Sequence, residues 1–179
     1  MNYSLYKTDQ KEAFITLFNN TFSDSEGKDE GAMIAKLVTD FLNQPTTDDV
    51  YTFVSTNNNA QVIGGIILSR LIFPNNDNVF LLSPVAVATE YQGKGIGQKL
   101  IRFGLETLKE KGVTIAVTYG DINFYSKVGF TPINEALIQA PLTLLYPEGW
   151  IAQSLIGEEI PAIDGKPTCA DALNNPIYW

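Results

Sequence analysis

Histidine is absent from the 179 residues, cysteine occurs once, and the 12 Lys and Arg are outnumbered by 20 Asp and Glu. Without an imidazole no Ser-His or Cys-His nucleophilic pair can be built, and no His-based metal centre either. Most hydrolytic mechanisms are thereby removed. The lone thiol, Cys169, cannot close an internal disulfide, which points to a reducing compartment, and it lies outside any motif. A formal charge of −8 argues against a partner recognised through its phosphates, which requires clustered Lys and Arg, and favours a cationic one. No apolar run approaches the roughly 18 residues of a membrane span. The opening Met1-Asn-Tyr-Ser-Leu-Tyr-Lys7 lacks the charged-then-apolar layout of a secretory leader. These absences predict a cytoplasmic protein that engages neither nucleic acid nor membrane and holds no metal.

What is present suits one globular domain over residues 1–179: 45% hydrophobic and 18% charged residues, without repeats, low-complexity tracts or a polar linker. A chain near this length buries roughly 70% of its unfolded surface. Tyr3 to Lys7 reads as a strand. Thr8 or Asp9 caps a helix, with Glu12 three residues after Asp9 as in a capping box, and Phe14, Leu17, Phe18, Thr21 and Phe22 fall on one face. A polar loop from Ser23 to Asp29 leads to a second helix with the stripe Ile34, Leu37, Val38, Phe41 and Leu42, ending before Pro45. Val50 to Thr56 and Gln61 to Phe73 read as paired strands around Asn57-Asn-Asn59.

Val79 to Gly112 carries the chemistry. An apolar strand, Val79 to Val87, is followed by a turn with three glycines in five residues, Gln92-Gly-Lys-Gly-Ile-Gly97, and then by an amphipathic helix. Leu100, Ile101, Gly104, Leu105 and Leu108 form its core stripe, and Gly112 ends it. Such a turn exposes backbone N–H groups toward one point, because Gly reaches positive φ without a Cβ in the way, and the positive end of the helix adds to the attraction for anions. At roughly 1.5–3 kcal/mol per charge-assisted bond, three or four amides anchor a pyrophosphate. Two familiar spacings fail: G-x-G-x-x-G is not met, because Gln98 follows Gly93 and Gly95 and Leu100 follows Gly95 and Gly97, and Lys94 has no hydroxyl residue beside it as a P-loop needs. Pro84 cannot donate to a ladder, which predicts a bulge in the strand.

Gln92-x-x-Gly95-x-Gly97 resembles the acetyl-CoA-binding motif of the GNAT N-acetyltransferases, in their YhbS-like branch. The likeness continues through Gly112, the apolar strand Thr114 to Thr118, and Gly120-Asp-Ile-Asn-Phe-Tyr-Ser-Lys-Val-Gly-Phe130. It implies an α/β acyl-CoA N-acyltransferase fold, with a mixed, mostly antiparallel sheet, a splayed central strand and helices on both faces. It implies acetyl-CoA as co-substrate, its pyrophosphate on Gln92, Gly93, Lys94, Gly95, Ile96, Gly97 and Gln98, its pantetheine arm along Val85, Ala86 and Val87, and Asn123 as a further contact. Tyr125 would meet the departing thiolate, and Asp121 would cap the helix that carries it.

The resemblance further implies acetylation of a primary amine by direct attack on the thioester, the amine belonging to a small molecule, a peptide or a protein, with homodimerisation left open. A lysine-like amine near pKa 10.4 must lose its proton, which at pH 7 costs roughly 4.6 kcal/mol. Family members often place a Glu on the central strand for that purpose, yet Phe80 to Val87 holds no carboxylate. A water chain or a tail residue such as Glu158, Glu159 or Asp164 are the remaining bases. A non-catalytic acyl-CoA-binding sensor is the alternative. Residues 131–155 read as two strands around the Pro141 to Gly149 loop, and Gly157 to Trp179 as a loop with a final strand or a lid.

Overall fold

The computed structural model describes residues 1–179. Seven strands hydrogen-bond in the order β1-β2-β3-β4-β5-β7-β6: β1 Asn2–Leu5, β2 Val50–Thr56, β3 Val62–Leu71, β4 Val79–Val87, β5 Ile115–Tyr119, β6 Thr131–Pro132 and β7 Trp150–Ser154. β4 and β5 run parallel, while β1 with β2, β5 with β7 and β6 with β7 are antiparallel. The helices are α1 Lys11–Glu26, α2 Lys28–Leu42, α3 Ile96–Glu110 and the short α4 Ile122–Tyr125. The chain divides into two compact units, one of Met1–Leu68 with Pro84–Gly104, the other of Ser69–Ser83 with Leu105–Trp179.

In the first unit, adjacent glycines on β3 show why helices lie on both faces of the sheet. Successive strand residues point to opposite sides. A Cβ on Gly65 would stand 2.5 Å from Phe14 and 2.8 Å from Phe18 of α1, whereas one on Gly64 would stand 2.4 Å from Ser55 Oγ and 3.4 Å from Leu100 of α3. Glycine at both positions lets each helix seat its large side chains against bare backbone. Phe14, Phe18, Phe53 and Leu100 are fully buried there.

Two boundaries at this end differ from the sequence expectation. The loop foreseen from Ser23 to Asp29 is helical except at Gly27, whose φ of 101° turns the chain between α1 and α2 in a single residue. Its N–H bonds Ser23 O at 3.1 Å, so α1 closes on its own last turn. The polar residues that suggested a loop are the exposed ends of two helices. The capping box foreseen at Asp9 and Glu12 is replaced by one turn of 3₁₀ helix, Thr8–Gln10, whose Gln10 Oε1 accepts the Lys7 N–H at 2.9 Å.

In the second unit β5 is buried along Ile115 to Thr118, and Phe80, Phe130 and Trp150 are fully buried core side chains. β4 is buried on both faces from Val79 to Leu82 and then alternates to Val87. It runs as one strand through Pro84, and the pairs with β5 extend from Val79↔Ile115 only to Leu82↔Thr118. The proline's missing N–H therefore falls where no β5 ladder bond is required. The tail contains no final strand: it is tied by the isolated bridges Ile72↔Thr168 and Ile138↔Ile163 and by 3₁₀ turns at Asp171–Leu173 and Pro176–Tyr178. Trp179 donates its indole N–H to Leu173 O at 2.8 Å and stacks on Tyr119, with ring centroids 6.3 Å apart.

Candidate functional site

The Gly-rich turn has the backbone its composition demands. Gly93 and Gly95 sit at φ 73° and 75°, a region that costs other residues about 1–2 kcal/mol. Nothing lies within 4 Å of where a Cβ on either would be. Conformation, not crowding, requires these glycines, and the space above them is open. Lys99 N–H bonds Gly95 O at 3.1 Å, which makes Gly95 the first acceptor of α3. The amides of Ile96, Gly97 and Gln98 therefore precede any intrahelical acceptor and lie at the positive end of a 15-residue helix. No acidic residue stands in that first turn to compete for them.

The turn is braced from outside. Gln92 Nε2 donates to Val87 O at 2.9 Å, tying the turn to the end of β4. Thr21 Oγ1 reaches the same carbonyl at 3.5 Å, and Thr89 Oγ1 donates to Asp24 Oδ2 at 2.7 Å, so α1 holds the approach to the turn. Lys94 Nζ donates to Glu90 O at 2.8 Å and lies 5.1 Å from the Tyr91 ring centroid.

In the second unit, Asp121 accepts the Asn123 N–H at 2.9 Å and starts α4, which ends at Tyr125. The Tyr125 ring packs edge-on to Phe124 and Phe130, with centroids 5.0 and 5.6 Å away. It also lies over Gly120, where a Cβ would come within 2.8 Å of its Cε2. Although the side chain as a whole is only half-buried, desolvation pushes the phenol up to about 12, while a hydrogen bond with Thr118 pulls the other way. It is a neutral hydroxyl at any physiological pH.

Residues 48–132, which contain both of these regions, match the family model described as acetyltransferase (GNAT) domain. Over these residues the chain is similar to GNAT acetyltransferase domains. It is similar to the uncharacterized N-acetyltransferase YjhQ of Escherichia coli strain K12, 32% identical over 120 residues that make 63% of this chain and 65% of that protein. The uncharacterized N-acetyltransferase YhbS of the same strain is 36% identical over 78 residues, 43% of this chain and 47% of its own length. The matches thus span from about half to just under two thirds of these relatives. Among solved structures, E. coli YhbS in complex with CoA superposes with a TM-score of 0.84 at 22% identity, over 98% of this chain and 92% of that one. A GNAT family acetyltransferase from Brucella melitensis in complex with acetyl-CoA gives 0.70 at 22% identity, over 97% of each. These likenesses establish the GNAT fold foreseen from the motifs.

Within this fold, the residues named from sequence fall in three places, the turn and start of α3, the end of β4, and α4. Gln92, Gly93, Lys94, Gly95, Ile96, Gly97 and Gln98 form one continuous turn and helix start. Val85, Ala86 and Val87 close β4 beyond its last pair with β5, and the Val87 carbonyl already accepts the Gln92 side chain. Gln92 thus shapes the turn through its side chain. Lys94 is held back on the preceding turn, and Asn123 directs its amide to Asp121 Oδ1 at 3.0 Å.

The tail carboxylates are dispersed. Glu158 and Glu159 line a cavity of about 620 Å³ with Thr114, Ile115 and Ser154, at the start of β5. Thr118 is three residues beyond Ile115, roughly 10 Å along the strand. Neither glutamate stands beside Tyr125's partner. Asp164 is exposed. Cys169 is half-buried, and desolvation raises its thiol, which suits an unreactive side chain. Sequence reasoning missed Thr118, whose hydroxyl donates to Leu82 O, and Gly120, which leaves room for the Tyr125 ring. A hydroxyl inside Ile115-Ala-Val-Thr-Tyr119 was the only visible sign.

Proposed function

We propose that this protein is a cytoplasmic N-acetyltransferase that moves the acetyl group of acetyl-CoA to a primary amine by direct attack on the thioester. The supporting observation is the turn at 92–98, which combines left-handed glycines, open space above them and unpartnered helix amides inside a GNAT fold. CoA or acetyl-CoA is bound by structural relatives of the same fold. On this reading Gly93, Gly95, Ile96, Gly97 and Gln98 hold the pyrophosphate, and the end of β4 the pantetheine arm.

The thioester supplies the activation, so the protein's work is placement. The neutral amine nitrogen forms the new C–N bond, the electron pair of the breaking C–S bond leaves on sulfur, and the proton shed by the nitrogen passes to water. Tyr125 donates a hydrogen bond to that sulfur. A phenol at about 12 beside a thiol near 8.5 makes full proton transfer uphill by roughly 5 kcal/mol, so Tyr125 stabilises the thiolate rather than protonating it. A net charge of −8 draws a cationic amine, whether a metabolite, a peptide N-terminus or a protein lysine.

One observation favours a non-catalytic acyl-CoA sensor instead: Phe80 to Val87 holds no carboxylate, and the tail's Glu158 and Glu159 line a cavity at the start of β5. Calorimetric titration with CoA, followed by acetyl transfer to an amine panel, separates the readings. We expect CoA to bind without competition from ATP or NAD and at least one amine class to be acetylated. Binding with no turnover on any amine identifies the sensor, and absence of binding overturns both.

A further inference from the structure

Ser83 is the only residue of β4 whose side chain carries a polar atom, in Val79-Phe-Leu-Leu-Ser-Pro-Val-Ala-Val87. It is half-buried, and its hydroxyl bonds to no protein group. Leu82↔Thr118 is the last pair with β5, so Ser83 is the first residue beyond the point where the two strands part. From there Pro84 and Ala86 are buried, while Ser83, Val85 and Val87 share the partly open face. A hydroxyl held half out of water without a partner gives the fold nothing in return for its desolvation.

Its position along the strand gives it a use. The pantetheine arm is a chain of about a dozen atoms between phosphate and sulfur, the length of about four extended residues at three backbone atoms each. Laid along β4 from Val87 toward Val79, that length, roughly 13 Å, ends at Ser83. The arm lies in the plane of the sheet, against the free edge of the strand, and the planar thioester continues it. A nucleophile approaches such a carbonyl from above or below its plane, the directions in which strand side chains stand. One side is filled by buried Pro84 and Ala86, and the other is open and presents Ser83.

We infer that Ser83 receives the acceptor amine: its Oγ accepts a hydrogen bond from the attacking nitrogen and, as the C–N bond forms, takes that nitrogen's proton while passing its own to water. A hydroxyl accepts and donates at once, so no charge rests on Ser83. Nitrogen loses one proton, water gains one, and the serine keeps one. This supplies what the lack of a carboxylate from Phe80 to Val87 left open, and it rests on the thioester lying along β4, as proposed above.

The test uses the full chain. Ser83→Ala should lower kcat/KM for the amine about 100-fold and leave CoA affinity by calorimetry unchanged, while Ser83→Thr keeps the hydroxyl and the rate to within about threefold. In mixtures of light and heavy water the parent rate should curve, as two protons in motion require, and become linear in Ser83→Ala. Because the hydroxyl bonds to nothing, Ser83→Ala should melt no lower than the parent. An equal rate in Ser83→Ala, a linear plot for the parent, or a marked fall in melting temperature overturns the inference and leaves the acetyltransferase reading standing. A parent chain that acetylates no amine overturns that reading and this inference together.

Discussion

The turn at 92–98 and the corner at 118–125 are built from opposite materials. The first works through backbone: its amides, its helix end and two glycines at positive φ, with side chains such as Gln92 and Thr21 serving as external braces. The second works through side chains: a phenol, a threonine hydroxyl and two phenylalanine rings, with Gly120 present because its missing Cβ makes room. A backbone site tolerates any side chain that leaves φ alone. A side-chain site tolerates almost no change of atoms and is indifferent to remote backbone.

Substitutions break that comparison in order of severity. Gly95→Glu forces a residue with a Cβ into φ 75° and places a carboxylate against the anion site, so CoA affinity by calorimetry should fall more than 100-fold. An affinity within threefold of the parent would remove the turn from the account. Tyr125→Phe leaves the turn untouched, and kcat should fall about 10- to 100-fold with CoA affinity unchanged.

The same phenol sharpens the comparison through pH. Its pKa is raised, so the neutral, donating form persists below about 12. The rate should climb with pH as the amine deprotonates and then level off. A falling limb below pH 11 that vanishes in Tyr125→Phe would contradict the burial of the hydroxyl. The smallest effect belongs to a brace: Gln92→Ala removes the 2.9 Å bond to Val87 O from an exposed side chain and should weaken CoA binding about threefold, leaving kcat at saturation unchanged.

How legible each region was follows from this difference. Glycine is the one residue that reports its own φ, so three glycines before an apolar helical stripe announced the turn and the start of α3. The stripe at Leu100, Ile101, Leu105 and Leu108 is buried as its period required. Asp121 announced its cap because an N-cap acts over two residues. Polar composition misled at Ser23 to Asp29, where Asp24, Glu26 and Asp29 lie at exposed helix ends rather than in a loop. The final strand expected in the tail failed for another reason: its single-residue bridges pair with Ile72 and Ile138, distant partners that local pattern does not name.

By itself the sequence determined the strand, turn and helix order from Val79 to Gly112, the absence of imidazole chemistry, and the acidic balance that suits a cationic acceptor. These depend on residue type and short spacing alone. Only the tertiary structure decided that β4 parts from β5 at Leu82, that a threonine hydroxyl takes the last carbonyl, and that burial raises Tyr125 to about 12. Each of these arises from atoms 7 to 36 residues apart in the chain brought within hydrogen-bond reach, and a hydrogen bond or a desolvation cost depends on distance in space, which no local pattern encodes.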